Sequence, residues 1–235
     1  MATSAISCAL IHQVKRMYLM SLDDALNGNS VRHGINSFAV DGIAAYIIAA
    51  ASVEAFINET FLTLFPRAQF KDSPLWNMPT DWLEKVELSA KLILIPQLLF
   101  EKTFRQNEQP YQDMSLLIRI RNDMIHFKMH IKPPKYISHL SERGIALVAS
   151  DFKENGADYA WPHKLSCSEG IRWANNTAYL TIQKLTEFVD SSYKESVLRT
   201  ASNFVMISDS FVSDWYMRHG IDPESSYPEK TKLIK

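Results

Sequence analysis

Apolar residues recur at helical spacing along most of the chain, and this pattern predicts a series of helices. The first helix is expected from about Ser4 to Asn27, with Gly28 as its terminator. A second helix is expected from Asn36 to Phe65, before Pro66, which cannot continue it. The second helix is apolar nearly all round, which is typical of a helix that others surround. The two segments therefore favour an all-α fold built around the second helix.

The middle of the chain continues the helical pattern with two interruptions. A capping signal at Thr80 predicts a short helix to about Ala90, and Pro96 then makes KLILIPQLLF either one kinked helix or two short ones. The most regular helix is expected from Asp113 to about Ile131, before the proline pair at Pro133. Its apolar stripe consists of Leu117, Ile120, Met124, Phe127 and Ile131. This stripe is expected to face the core.

The segment 133–164 has the densest turn signals and one possible short strand, from Ile145 to Ala149. We interpret it as a loop-rich insertion or lid. A capping box formed by Ser166 and Glu169 predicts a further helix to about Ser192, and a last helix is expected from Glu195 to Arg218. The organisation predicted is one helical domain over residues 1–220, with the insertion inside it and a flexible tail over 221–235.

Composition excludes several classes of protein. The two cysteines lie far apart, which argues against a disulfide framework and a structural zinc site. A formal charge of −1 excludes a generally basic nucleic-acid-binding coat. The most apolar stretch, Gly42 to Val53, is shorter than the ~20 residues of a membrane span, and no secretory signal pattern is evident. We therefore expect a cytoplasmic protein with no membrane association.

One local segment is strongly basic and carries the candidate chemistry. Between Arg119 and Lys135, five cationic residues accompany one carboxylate, Asp123. Within it, an arginine at 121 is followed directly by Asn122, and a histidine stands at 126. This arrangement resembles the motif of the HEPN superfamily, in which arginine and a polar residue precede histidine by four to six intervening positions. The upstream apolar sequence SVEAFINE also agrees with that family.

The resemblance implies a helical bundle that forms a homodimer with a composite active site. It further implies a metal-independent endoribonuclease with no cofactor, acting on RNA in a toxin-antitoxin or antiphage setting with an antitoxin protein as a further partner. RNA cleavage by the 2′-hydroxyl needs a base, an acid and positive charge on the phosphate. His126 can transfer protons near neutral pH, and Arg121 can bind phosphate with two nitrogens. A second His126 from the partner subunit would supply the other proton transfer, and Asn122 would orient the imidazole.

Helix geometry leaves the choice of arginine open. On an ideal helix Arg121 starts ~140° from His126, whereas Arg119 starts only ~20° away but two turns distant. The resemblance favours Arg121, because an asparagine follows it, while the geometry favours Arg119. Further candidates for RNA binding are Lys128, Lys132 and His130. Candidates for positioning the catalytic side chains are Glu54, Asn58 and Asp123.

Three alternatives accompany this interpretation. The same surface could belong to a non-catalytic module that binds a protein, a nucleotide or RNA. His126 and His130 have the spacing of half a metal site, but no third ligand is evident, so we predict no metal. A group of Trp161, His163 and Trp173 could stack on bases, although buried packing is the commoner use of such aromatic residues.

Overall fold

A computed structural model describes residues 6–27, 41–61, 82, 85–127, 133–147 and 161–222. The described part of the chain is mostly helical and has no strand of regular length, which confirms the all-α prediction. The expected boundaries near residues 36 and 65, and the capping signal at Thr80, lie outside these ranges.

Eight α-helices are present in the described residues, together with one π-helical and one 3₁₀ segment. They are α1 (Ile6–Leu26), α2 (Gly42–Phe56) with the π-helical segment Ile57–Phe61, α3 (Leu88–Phe100), α4 (Tyr111–Ile125), α5 (Tyr136–Glu142), the 3₁₀ segment Trp161–Leu165, α6 (Ser168–Phe188), α7 (Ser191–Ala201) and α8 (Asp209–Arg218).

Helix α2 is the central helix of the fold, as its sequence predicts. It packs against α1, α4 and α6, and its small residues Ala45, Ala49 and Ala50 are fully buried, so neighbouring helices approach it closely. The helical stretch Gly42–Phe61 is also long and apolar enough to cross a membrane. Half of its most apolar window is buried inside the fold, as in the core helix of a soluble protein.

The π-helical segment directs two neighbouring polar side chains to different helices. The Glu59 carboxylate accepts hydrogen bonds from the backbone N–H of Ile6 at 2.6 Å and from the Ser7 hydroxyl at 2.7 Å, so it caps the N-terminus of α1. The side chain of Asn58 instead contacts Lys91 on α3. This segment therefore joins the central helix to both α1 and α3.

Close backbone packing joins α2 to the start of α6. The Tyr46 hydroxyl donates a hydrogen bond to Leu165 O at 3.1 Å, inside the core. A Cβ atom at Gly170 would collide with the Tyr46 hydroxyl and would lie 2.7 Å from Leu165 O. Only glycine fits this approach without a local shift.

Residues on both sides of the undescribed stretch of segment 133–164 contribute to the main hydrophobic core. They are Tyr136, Ile137 and Leu140 of helix α5, together with Ile145, Ala146 and Trp161. The expected strand is wrong for its first three residues. The backbone N–H groups of Ile145 and Ala146 both donate to Leu140 O, which ends α5, so they cannot join a strand ladder. Val148 and Ala149 lie outside the described residues.

Two helix starts differ from those expected. Helix α3 begins at Leu88, after an extended Glu87, and continues through Pro96 as a single helix. Helix α6 begins at Ser168 and not after Ser166, because the N–H of Ser166 donates to His163 O and belongs to the preceding turn. The N-cap of α6 is Cys167, and no side chain caps it, so the predicted capping box is wrong.

The C-terminal region contains two helices where the sequence predicts one. Helix α7 ends at Ala201, and α8 begins only at Asp209. Asn176 on α6 holds the intervening backbone, because its side chain both accepts from Ile207 N at 2.8 Å and donates to Ile207 O at 3.0 Å. These hydrogen bonds to another helix take the place of a helical continuation.

Candidate functional site

A buried lysine on α3 organises the polar residues of the central helix. The fully buried Lys91 ammonium donates to Glu54 Oε1 at 3.0 Å and to Asn58 Oδ1 at 3.1 Å. Glu54 and Asn58 lie one turn apart on the same helix face, so one cation satisfies both. We refer to Glu54, Asn58, Lys91, Arg121 and Asn122 as the Glu54 cluster.

Arg121 reaches this cluster from α4. Its Nη2 lies 3.9 Å from Glu54 Oε2, and its Nη1 donates to Asn122 Oδ1 at 3.3 Å. Among the described residues, its buried Nε has no hydrogen-bond acceptor. The Arg121 side chain is 27% exposed, so solvent reaches part of the guanidinium group although Nε is enclosed by the fold. Of the two polar residues on the central helix, Glu54 lies beside Arg121, whereas Asn58 contacts Lys91.

The charges of the Glu54 cluster do not cancel. Lys91 and Arg121 share the single carboxylate of Glu54, and each faces a different oxygen of it. The remaining two members, Asn58 and Asn122, are neutral. The cluster thus has an excess of one positive charge, and its accessible side chain is an arginine, the side chain best suited to binding a phosphate group.

His126 lies just beyond the end of α4, not within it. Its backbone N–H donates to Asn122 O at 3.0 Å, and the next N–H, of Phe127, donates to Met124 O in a tighter turn. The helix expected to run to about Ile131 therefore ends at Ile125, and the ideal-helix angles do not apply to His126. The imidazole is exposed, and no hydrogen bond or ion pair within the described ranges joins it to Arg121 or Asn122. Lys128, His130 and Lys132 lie outside those ranges.

Arg119 belongs to a different neighbourhood from Arg121. It is 68% exposed, its Nε lies 4.0 Å from Asp123 Oδ2, and its guanidinium lies 5.4 Å from the centre of the Tyr136 ring. The Tyr136 hydroxyl donates to the same Asp123 oxygen at 2.9 Å. Burial, together with this hydrogen bond to a carboxylate, raises the pKa of Tyr136 well above its ordinary value. Asp123 therefore stabilises the contact between α4 and α5 and does not contact Arg121.

The aromatic group proposed for base stacking is structural. Trp161 is buried against Phe127, with ring centres 5.9 Å apart. Trp173 is also buried, and its indole N–H donates to Asp113 Oδ2 at 3.2 Å. His163 lies half-buried in the turn beside Trp161. Because both indole rings are enclosed, neither can stack on a nucleotide without rearrangement of the core.

Lys91 is the site residue that sequence analysis misses. It stands alone in the apolar run AKLILIP, where a single lysine usually reaches solvent. The signal available is a single lysine in one apolar helix and a carboxylate, Glu54, within another apolar stretch. Metal binding has no support in the described part of the chain, where no three histidine, cysteine, aspartate or glutamate side chains are grouped to hold an ion.

Neither a protein family model, nor a curated protein, nor a solved structure matches the chain. The similarity to the HEPN motif therefore remains a prediction from Arg121, Asn122 and His126, and the functional argument depends on their geometry.

Proposed function

We propose that the protein is a metal-independent endoribonuclease of the HEPN type, which cleaves RNA by attack of the 2′-hydroxyl on the adjacent phosphate. Arg121 binds that phosphate and stabilises the charge that develops on it. His126 transfers protons, and Asn122 positions the side chains around it. The proposed setting is a cytoplasmic toxin-antitoxin or antiphage system, with an antitoxin protein as a partner.

The observation that supports this proposal most directly is the incomplete pairing of the Arg121 side chain. Its charge is only partly balanced, because Glu54 is shared with Lys91, and its Nε lacks an acceptor among the described residues. The side chain is 27% exposed, so a phosphate can reach the outer nitrogens of its guanidinium group. A phosphodiester supplies both the negative charge and the acceptor oxygens that this arginine lacks.

The position of His126 supports the catalytic part of the proposal. Its exposed imidazole follows α4 directly, five residues after Arg121, so the two side chains start at different heights along the helix. A two-fold dimer brings Arg121 of one subunit near His126 of the other and provides two imidazoles for the two proton transfers. The exposed apolar Ile125 beside His126 also suits a helix end that a second subunit covers.

Cleavage assays with matched histidine variants test the proposal. Purified wild type, His126→Ala and His139→Ala are incubated with tRNA and structured mRNA in EDTA. His139 is exposed and lies on α5, so its substitution controls for loss of a surface imidazole. We expect cleavage by wild type and His139→Ala, and none by His126→Ala. Cleavage by none of the three would favour the non-catalytic module, and equal cleavage by all would refute the role of His126.

A further inference from the structure

The Glu54 carboxylate is divided between two cations in an unequal way. Its Oε1 lies 3.0 Å from the Lys91 ammonium, whereas its Oε2 lies 3.9 Å from Arg121 Nη2. The first distance is that of a hydrogen-bonded ion pair, and the second is too long for a hydrogen bond. Lys91 therefore holds the carboxylate firmly, and Arg121 holds it loosely.

This division is unusual for an arginine beside a carboxylate. The two groups normally pair through two parallel hydrogen bonds of ~2.7 to 2.9 Å, which use both oxygens of the acid. Here Oε1 is committed to Lys91, which also donates to Asn58 Oδ1, so Glu54 is anchored toward α3. In this arrangement Arg121 does not form the two-bond pair that would neutralise it, because its Nη2 stays 3.9 Å from the nearer oxygen.

We propose that Lys91 is a positioning residue that keeps Glu54 away from Arg121 and so keeps the arginine available for an RNA phosphate. The inference rests on the proposed function, since it concerns the same phosphate-binding side chain. Without the lysine, Glu54 turns toward Arg121, pairs with it through both oxygens and competes with the phosphate. Lys91 is buried, so it does not touch RNA itself and affects the arginine through Glu54.

A double-mutant cycle distinguishes this role from simple loss of charge. Lys91→Met, Glu54→Gln and the double variant are compared with wild type in binding 2′-O-methyl RNA, which lacks the attacking hydroxyl and cannot be cleaved. We expect Lys91→Met to weaken binding about tenfold when Glu54 is present, and less than about twofold when residue 54 is glutamine. Equal weakening in both backgrounds would overturn the proposal, because it is the result expected from loss of a positive charge alone.

The Glu54→Gln variant tests the inference even if Lys91→Met does not fold. If Glu54 competes with the phosphate for the arginine, its neutralisation increases RNA affinity, and an unchanged affinity would count against competition. If Glu54 instead orients Arg121 for binding, the same variant weakens binding, and the proposal is wrong. Lys184→Met is the matched control, since Lys184 is a half-exposed lysine on α6 that pairs with Glu187.

A spectroscopic measurement examines the arginine itself. The Nε–Hε signal of Arg121, assigned by its loss in Arg121→Lys, is expected to shift in Lys91→Met as the two-bond pair forms, and to return toward its wild-type position in the double variant. An unchanged signal in folded Lys91→Met would refute the inference. RNA that binds to wild type without being cleaved would refute only the proposed function, whereas absence of RNA binding would refute both.

Discussion

Substitution of Gly170 by alanine tests the packing that joins the central helix to α6. The added Cβ would collide with the Tyr46 hydroxyl, lie 2.7 Å from Leu165 O and lie 3.0 Å from Ile145 O. Ordinary contacts between carbon and oxygen are ~3.3 Å or longer, so three atoms from three segments are too close. Two of them are backbone oxygens, which move only if the chain moves.

The size of the effect follows from two opposing contributions. Overpacking of a well-packed interior costs about 3 kcal/mol when backbone atoms are involved. Replacing glycine by alanine within a helix returns at most about 1 kcal/mol. We therefore expect the free energy of unfolding to fall by about 2 kcal/mol, which lowers Tm by about 4 to 8 °C in a chain of this length.

Thermal and urea unfolding, followed by circular dichroism, measure this loss. The single variant Tyr46→Phe removes the nearest oxygen together with its hydrogen bond to Leu165 O. In the double variant, Gly170→Ala should cost less than it does alone, because its closest contact is gone. Gly170→Ala that is as stable as wild type would refute the close approach, and additive effects in the double variant would show that Tyr46 does not contribute to it.

Three further predictions concern the site and its surroundings. Arg121→Ala should lower kcat/KM for RNA cleavage at least ~100-fold, and Arg119→Ala less than ~5-fold, because only Arg121 belongs to the Glu54 cluster. Single-turnover kinetics measure both values, and a larger effect at Arg119 would reverse this assignment. Burial alone would raise the pKa of Asp113, but the hydrogen bond and charge of Arg143 outweigh it and hold that pKa below its ordinary value near 3.8. The resulting stabilisation is present at neutral pH and diminishes as the pH falls below about 4. Asp113→Asn should therefore lower Tm most at pH 7 and by progressively less on acidification below about pH 4; a loss of Tm that does not shrink with acidification would contradict the ion pair. Burial raises the pKa of the Cys167 thiol to about 12, so this cysteine should resist alkylation at pH 8 until the protein unfolds. Rapid labelling of Cys167 in the native protein, measured by mass spectrometry, would contradict its burial.

The sequence predicts correctly those parts of the fold that the local spacing of apolar residues determines. The central helix α2 is apolar nearly all round, and such a segment has to be enclosed by other helices. The core stripe of α4 is likewise correct for Leu117, Ile120 and Met124, all of which are buried. Hydrophobic periodicity alone contains this information.

Errors occur where distant hydrogen bonds decide the backbone. The break between α7 and α8 depends on Asn176, which lies 31 residues before Ile207 and binds its N–H and carbonyl groups. Helix α4 likewise ends just before the point where the Phe127 ring packs against Trp161, which lies far along the chain, after Pro133 and Pro134. Neither partner is visible from the local pattern.

In the candidate site, too, local features can be predicted from the sequence, whereas contacts between distant residues cannot. The proximity of Glu54 and Asn58 can be predicted, because four residues separate them on one helix. The role of Lys91 cannot, because 37 residues separate it from Glu54, and only the folded chain brings its side chain to Glu54 and Asn58. The resemblance favours Arg121 over Arg119 from the sequence alone, and the structure adds that the two arginines lie beside different carboxylates.

The chemistry of the RNA product is the most direct test of the central claim. A single RNA is cleaved by wild-type protein in EDTA, and the 3′ ends of the fragments are identified by mass spectrometry. Attack by the 2′-hydroxyl, with His126 transferring protons, predicts 2′,3′-cyclic phosphates that are absent after His126→Ala. Fragments ending in 3′-hydroxyl groups, or cyclic phosphates still formed at the wild-type rate by His126→Ala, would contradict the mechanism.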